Sequence, residues 1–108
     1  MFCCYLLSDG SYTYIGYTIT AQLEQRIHLH NTGKGAKATR RFRGRGKLVC
    51  FVSGMKTKGE AMSFEHAAKK AVGLTKRLAR IKKLCGMDRW MHVSLHPNPS
   101  MDNCSLDC

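Results

Sequence analysis

The start of the chain has the pattern of a β-hairpin, and no other sequence feature constrains the fold as strongly. Residues 2–7 are apolar and aromatic, and residues 12–18 are rich in tyrosine, threonine and isoleucine, which favour strands. Residues 8–11, with the sequence Ser-Asp-Gly-Ser, are typical of a turn. We therefore expect two short antiparallel strands against which the other elements pack.

An amphipathic helix is predicted directly after the hairpin. Thr20 is a candidate cap for a helix over residues 21–31. Ile19, Leu23 and Ile27 repeat every four residues, which places them on one buried stripe. The pattern therefore predicts that the first helix lies against the hairpin.

The second half of the chain predicts one more strand and two more helices. Residues 48–53 form an apolar strand pattern, a helix is expected from residue 59 or 60 to residue 71, and Gly73 separates it from a third helix over residues 74–84. Four apolar residues of the third helix are expected to face inward: Leu74, Leu78, Ile81 and Leu84.

The order ββαβαα predicts an α+β fold with a small three-stranded antiparallel sheet flanked by helices. We expect one domain over residues 1–85 and a C-terminal extension, residues 86–108, packed on it. Residues 90–95 form either a short strand or an extended segment, and the last residues are expected to be frayed.

The charge predicts a polyanionic partner. Eighteen Lys and Arg against seven Asp and Glu give a formal net charge of +11, which suits DNA, RNA or an anionic membrane surface. Residues 34–47 contain seven basic residues and no acid, and we expect a loop that is mobile or ordered by a ligand; a solvated loop that only aids solubility is the alternative. The expected DNA-binding residues are Lys34, Lys37, Arg40, Arg41, Arg43 and Arg45 in the loop, with Lys76, Arg77 and Arg80 on the third helix.

The cysteines and the apolar runs bear on the compartment. Cys3, Cys4, Cys50 and Cys85 lie in apolar stretches, which is typical of buried thiols in a reducing environment rather than of a disulfide scaffold. No apolar run approaches the roughly 20 residues that span a bilayer, and the N-terminus lacks a basic leader. We expect an intracellular protein of the cytoplasm or nucleus that is not secreted and not in a membrane.

Five polar residues border the predicted core. Arg26 and His30 are four residues apart and flank the buried stripe of the first helix, and Glu65 lies beside the inward Phe64. Tyr5 and Tyr14 place hydroxyls on the hairpin. A carboxylate can hold Mg²⁺, an arginine can stabilise a phosphorane-like transition state, and a tyrosine or histidine can move a proton.

Such a set suits phosphodiester hydrolysis, but each member has a simpler explanation. The two tyrosines can be a cross-strand packing pair, and His30 can cap the carbonyls at a helix end. Arg26 and Glu65 can form an ordinary ion pair with each other. Spacing alone leaves these alternatives open.

Five segments, in order, resemble the GIY-YIG nuclease superfamily. They are Cys-Cys-Tyr-Leu-Leu at 3–7, Tyr-Ile-Gly-Tyr-Thr at 14–18, the Arg-x-x-x-His-Asn step at 26–31, the Gly-rich stretch at 33–40 and Ala-Met-Ser-Phe-Glu-His at 61–66. The resemblance covers about two thirds of the chain. Within the superfamily it is strongest to the catalytic domain of the Slx-type structure-selective endonuclease and its short bacterial and viral relatives.

The resemblance implies a Mg²⁺-dependent DNA endonuclease, with Mn²⁺ expected to substitute. It implies that Glu65 is the metal-binding carboxylate, that Arg26 contacts the scissile phosphate and that His30 positions a phosphate or relays a proton. Tyr5 and Tyr14 would line the site, with Tyr5 preferred as the general base for the attacking water. Gly16 would let the backbone pass close under the bound DNA.

That group cuts branched DNA such as flaps and junctions, so the resemblance implies a structure-selective enzyme of repair, recombination or replication with little sequence preference. Two features depart from the family pattern. Cys3 and Cys4 replace the first Gly-Ile, and Tyr17 stands where some branches carry a lysine, so cationic help there must come from elsewhere. The Slx-type enzyme also has a zinc-binding RING-like domain, for which this chain is too short, and a scaffold partner, so a targeting protein is a candidate partner here.

The tail contains a second candidate metal site. His92 and His96, with Cys104 and Cys108, have the spacing of zinc ligands. Pro97 and Pro99 lie between the two pairs, and terminal cysteines are often incidental. A Zn²⁺ site on these four residues is therefore the less favoured interpretation.

Two other functions compete with an active nuclease. A non-catalytic nucleic-acid-binding module on the same fold would keep the charge without the chemistry. A basic ribosomal or RNA-binding protein would explain the charge but not the pattern of tyrosine, arginine and glutamate. The intact set of Tyr5, Tyr14, Arg26 and Glu65 favours the nuclease.

Overall fold

The N-terminal hairpin is present as expected. The computed structural model describes residues 1–98, in which β1 (Phe2–Ser8) pairs antiparallel with β2 (Thr13–Ile19). Tyr5 is the cross-strand partner of Gly16 in this register. Asp9 closes the turn, since its carboxylate accepts the backbone N–H groups of residues 11 and 12.

The sheet has four strands where the sequence predicted three. Its order is β2-β1-β3-β4, with β3 at Lys47–Met55 and β4 at Ser94–Pro97, and every pairing is antiparallel. The fourth strand is four residues long and three of them are exposed, so it has no apolar alternation that a sequence pattern could reveal. This order makes β2 one edge of the sheet.

Helices cover both faces of the sheet. α1 (Leu23–Asn31) lies on one face, and α2 (Lys58–Ala68) and α3 (Leu74–Cys85) lie on the other. β1 contributes to the core on both faces of the sheet because its successive side chains point to opposite faces. Cys3, Tyr5 and Leu7 pack with Leu23 and Phe42 on the α1 face, while the main core on the other face contains Cys4, Leu6, Ile15, Val52, Phe64, Ile81, Leu84 and Trp90.

The predicted start of α1 was wrong. Ile19 belongs to β2 and is 43% exposed, so it is not part of the buried stripe of α1. Thr20 caps no helix through its side chain; it begins a 3₁₀ turn, Thr20–Gln22, that leads from the strand into α1. The strand continues that far because the N–H of Thr20 donates to the carbonyl of Met1.

The basic segment contains a short element that the sequence did not predict. A 3₁₀ segment, Lys37–Phe42, occupies its centre, and the side chains of Thr39 and Phe42 are buried. Asn31 holds the far end: its side-chain amide donates to the carbonyl of Gly46 at 2.8 Å and accepts the N–H of Gly46 at 2.9 Å. The loop from residue 32 to residue 46 is therefore fixed to the end of α1, which a count of charges does not reveal.

No helix within residues 1–98 combines the length and the apolar character that crossing a membrane requires.

Candidate functional site

A pocket opens at the free edge of the sheet, and charged side chains from both helical layers reach it. Its volume is about 400 Å³, and β2 forms its floor. Arg26 reaches the pocket from α1 on one face of the sheet, and Glu65 reaches it from α2 on the other face. Both residues reach the same pocket because no further strand within residues 1–98 pairs with the outer side of β2. The remaining polar lining comes from Tyr14, Tyr17, Thr18, Gln22 and Lys58.

Glu65 is the carboxylate of this pocket. Its side chain is 18% exposed, and one carboxylate oxygen lies 2.8 Å from the ammonium nitrogen of Lys69, one helical turn further along α2. Arg26 and Glu65 do not pair with each other, so the ordinary ion pair that the sequence left open is not formed in the described residues. Lys58 and Lys69 were not anticipated as site residues. Lys58 is the first residue of α2 and Lys69 is the residue after its last; the helix begins one or two residues earlier than expected because Thr57 caps it.

Tyr5 and His30 form a buried hydrogen bond beneath the pocket. The Tyr5 hydroxyl oxygen lies 2.7 Å from Nε2 of His30, and the two side chains are almost fully buried. Tyr14 lies against the same imidazole, with the ring centroids 5.0 Å apart. The structure thus brings both tyrosines and the histidine together, but it places only Tyr14 on the pocket wall.

The basic loop holds the other side of the His30 ring. Nδ1 accepts the backbone N–H of Ala36 at 3.3 Å and lies 3.0 Å from the hydroxyl of Thr39, which is fully buried. A side chain at Gly35 would collide with Nδ1. The Thr39 hydroxyl donates its proton to the carbonyl of Ala36 at 2.6 Å, so the tautomer of the ring decides which atom donates in its contacts with Thr39 and Tyr5.

His30 is hydrogen-bonded to the hydroxyl of Tyr5, and its action on a phosphate or a proton stays a prediction. His30 is buried, its two ring nitrogens have partners inside the protein, and it holds the hydroxyl of Tyr5. Sequence reasoning missed Thr39, although it lies in the Gly-rich stretch that carried the family resemblance. A threonine in a basic loop gives no sign that its hydroxyl is buried against a histidine.

Burial shifts the pKa values of both tyrosines and of His30. Burial raises the pKa of Tyr5 well above its usual range, and the positive charge of Arg26 opposes the rise. Burial also raises the pKa of Tyr14, opposed by Lys69. Burial lowers the pKa of His30, and Arg26 lowers it further, so the imidazole is neutral at pH 7. Tyr5 as the general base stays a prediction.

Gly16 leaves space for two tyrosine side chains, whereas the resemblance implied only that it lets the backbone pass close under the bound DNA. A Cβ atom there would lie 2.7 Å from the hydroxyl oxygen of Tyr5 and 2.8 Å from Cε2 of Tyr14. These distances are shorter than any van der Waals contact. Glycine at this position lets both phenol rings lie across the edge of the sheet.

The basic residues proposed to bind DNA fall into two groups. Arg77 and Arg80 are half-buried, and each donates from Nε to a backbone carbonyl near the end of α2, Arg77 to Ala71 and Arg80 to Ala67. These contacts use part of their donor capacity. The others are exposed: Lys34, Lys37, Arg40, Arg41, Arg43, Arg45 and Lys76. Binding of DNA by either group stays a prediction.

The candidate zinc ligands are only partly within the described structure. His92 pairs with Glu60, at 2.8 Å between Nε2 and a carboxylate oxygen, and Nε2 of His96 lies 2.7 Å from the hydroxyl of Ser53. Cys104 and Cys108 lie outside the described residues. Within residues 1–98, no three His, Cys, Asp or Glu side chains converge on one point.

Comparison with known proteins agrees with this geometry. The family model of the GIY-YIG catalytic domain matches residues 1–79. Over 62 residues the chain is 48% identical to a UPF0213 protein of Streptococcus pneumoniae, covering 57% of this chain and 58% of that protein. A UPF0213 protein of Oceanobacillus iheyensis is 47% identical over 72 residues, or 66% of this chain and 70% of that protein. The match thus spans about three fifths of the length of the pneumococcal relative.

Replacing Gly16 with alanine should destabilise the protein, because the new methyl group would overlap both tyrosine rings. We expect Gly16→Ala to lower the free energy of unfolding by roughly 1–3 kcal/mol, measured by urea denaturation. Gly59→Ala is the matched control, since its Cβ would meet nothing closer than 3.8 Å. Equal stability of the two variants would contradict the packing role of Gly16.

The protonation of His30 can be followed directly by NMR. Burial and Arg26 disfavour the imidazolium, so the pKa of His30 should lie below the ordinary histidine value of 6.5. The contribution of neutral His30 to the free energy of unfolding is then complete above pH 6.5. It is lost as the pH falls toward the pKa of His30 in the folded protein, which is lower. The imidazole signal of His30 is identified as the one that is missing from the spectrum of His30→Asn. A midpoint at or above 6.5 would contradict the arrangement.

Proposed function

Because the chain belongs to the family of the GIY-YIG catalytic domain, a nuclease family, we propose that it is a metal-dependent endonuclease that hydrolyses phosphodiester bonds in DNA. One observation carries the proposal. A single pocket at the sheet edge contains a carboxylate, a guanidinium and a phenol, contributed by Glu65, Arg26 and Tyr14. This is a set that can hold a divalent cation and a phosphate side by side.

The residues of the pocket fit one Mg²⁺ ion. Mg²⁺ prefers oxygen ligands, keeps several waters, and is commonly held by one or two carboxylates together with a substrate phosphate. Glu65 supplies one carboxylate in an open pocket with room for waters and phosphate. When bound, the ion would polarise the phosphoryl oxygen. Mn²⁺ has the same ligand preferences and should substitute.

Arg26 and Lys58 would bind the scissile phosphate. Both line the pocket that contains Glu65. A guanidinium can donate two parallel hydrogen bonds to phosphate oxygens, and it stabilises the additional negative charge of the transition state. Lys58 provides a second positive charge in the pocket, and this offsets the absence of a lysine at Tyr17.

We assign the contact with the attacking water to Tyr14. It lines the pocket, whereas Tyr5 lies beneath it and is bonded to His30. Lys69 opposes the burial that raises the pKa of Tyr14, and so favours the deprotonated phenol that a general base requires. Tyr5 and His30 then hold Tyr14 in place from below, since the two tyrosine ring centroids are 6.2 Å apart.

The substrate we propose is branched DNA such as a flap or junction, recognised mainly through its phosphates. The exposed basic side chains contribute an electrostatic, sequence-independent attraction. One carboxylate and one pocket imply that one strand is cut per event. A scaffold or targeting protein would supply further selectivity, and repair, recombination or replication is the proposed setting.

The test is a cleavage panel of labelled flap, junction and duplex DNA with Mg²⁺, Mn²⁺ or EDTA. We expect cutting only with a divalent metal, and a loss of about 100-fold or more in Glu65→Gln, because the amide is a poor ligand for Mg²⁺. Glu24→Gln, which changes the same charge at an exposed position of α1, should cut like the parent protein.

Two outcomes would overturn the proposal. Cleavage by Glu65→Gln at the parental rate would remove the carboxylate from the mechanism. DNA binding without cleavage by the parent protein under all metal conditions would identify the chain as a non-catalytic nucleic-acid-binding module.

A further inference from the structure

An aromatic ring and two guanidinium groups meet at the start of β2, just beyond the pocket. The guanidinium carbon of Arg41 lies 4.9 Å from the centroid of the Tyr12 ring. Arg77 donates from Nη1 to the hydroxyl of Thr13 at 2.9 Å. Arg41 comes from the 3₁₀ segment on the α1 face of the sheet, and Arg77 comes from α3 on the other face. The two arginines therefore flank the edge strand much as Arg26 and Glu65 do at the pocket.

The two arginines have no acidic partner in the described part of the chain. The ion pairs found among residues 1–98 involve Glu60 and Glu65, and neither Arg41 nor Arg77 takes part in them. The carboxylate of Asp9, in the same hairpin turn, accepts the backbone N–H groups of Ser11 and Tyr12 through Oδ1, at 2.8 and 2.7 Å, and forms no ion pair among residues 1–98. Burial lowers the pKa of Arg77, and the charge of Arg41 lowers it further, as expected for two cations close together.

Such a pair is suited to an anion that lies between the two groups. Two neighbouring guanidiniums repel each other, and a phosphate would replace this repulsion with charge-assisted hydrogen bonds. Arg77 is already held in place by the carbonyl of Ala71 and the hydroxyl of Thr13, so it loses little conformational freedom on binding.

Tyr12 adds a surface for a base. Its side chain is 47% exposed at the tip of the hairpin, unlike Tyr5 and Tyr14, which are buried or half-buried. An exposed aromatic ring beside arginines is the arrangement on which unpaired bases stack, and the interaction tolerates any base because every base has a π face. Bases inside a duplex already stack on each other and do not offer that face.

The distance to the pocket fits one strand of nucleic acid. Thr13 directly precedes Tyr14, which lines the pocket. Strand residues advance by roughly 3.3 Å each, so the backbone that contacts the arginine pair lies about one residue from the pocket wall. A strand with its scissile phosphate in the pocket would therefore pass the arginine pair within roughly one or two nucleotides.

We propose that Tyr12, Arg41 and Arg77 form a nucleotide subsite that binds an unpaired nucleotide of the DNA beside the scissile phosphate. The phosphate lies between the two guanidiniums and the base stacks on Tyr12. The proposal deepens the proposed function, on which it rests, because it selects DNA that has a single-stranded segment next to the cut.

The experiment measures binding separately from cleavage. In a Glu65→Gln background, fluorescence anisotropy gives the affinity for a blunt duplex and for the same duplex with a single-stranded overhang. Tyr12→Ala should weaken overhang binding by about 5-fold or more, the lower end of the effect of removing one stacking ring, and leave duplex binding unchanged. Tyr12→Phe keeps the ring and should bind like the parent variant.

Arg41→Ala should weaken binding and reduce the slope of log affinity against log salt by about 0.7–0.9, the value for one phosphate contact. Arg89→Ala is the matched control. Arg89 is also exposed, and its guanidinium carbon also lies 4.9 Å from an aromatic centroid, but that ring is Trp90, outside the proposed subsite. Arg89→Ala should leave the affinity and the slope of log affinity against log salt unchanged.

A Tyr12→Ala variant that binds both DNAs as tightly as its parent, or loses the same factor on both, would contradict the subsite. An Arg89→Ala variant with the same loss of affinity and the same change in salt slope as Arg41→Ala would also contradict the subsite. Failure of the proposed function is distinguishable: a parent protein that binds overhangs through Tyr12 but cuts no DNA with any metal would retain the subsite and refute the nuclease.

Discussion

The buried hydrogen-bond chain from Tyr5 through His30 to the 3₁₀ segment is the interaction on which the site depends. It joins β1, α1 and the basic loop, three parts of the chain that are distant in sequence. Burying a phenol and an imidazole is unfavourable unless both are hydrogen-bonded. These hydrogen bonds therefore fix the position of α1 on the sheet. Arg26 lies one helical turn before His30 on that helix, and is thereby held at the pocket.

The second constraint is the free edge of the sheet. Residues from opposite helical layers meet only where no strand separates them, and β2 provides such an edge along its whole length. Arg26 and Glu65 meet at its middle, and Arg41 and Arg77 meet at its start. Gly16 keeps this edge thin enough for two phenol rings to lie across it. Cationic side chains and the carboxylate of Glu65 thus follow one another along this edge.

Sequence patterns predicted the elements that carry strong periodicity or turn chemistry. The hairpin, α3 and the grouping of Tyr14, Arg26 and Glu65 were predicted because alternation, helical spacing and ordered motifs are local signals. The short edge strand β4 and the internal structure of the basic loop were not, because both depend on contacts with distant residues. Thr39, Lys58 and Lys69 were missed for the same reason: nothing in their immediate neighbours shows that they lie beside His30 or Glu65.

We propose that the metal and the phosphate bind at the edge strand between the two helical layers. Titration of the ¹⁵N-labelled protein with trace Mn²⁺ tests this proposal, because the paramagnetic ion broadens the amide signals nearest to it. We expect the signals of Tyr14, Gly16, Thr18 and Glu65 to broaden first, and Glu65→Gln to abolish the effect. Broadening centred on His92 and His96, or unchanged in Glu65→Gln, would contradict it.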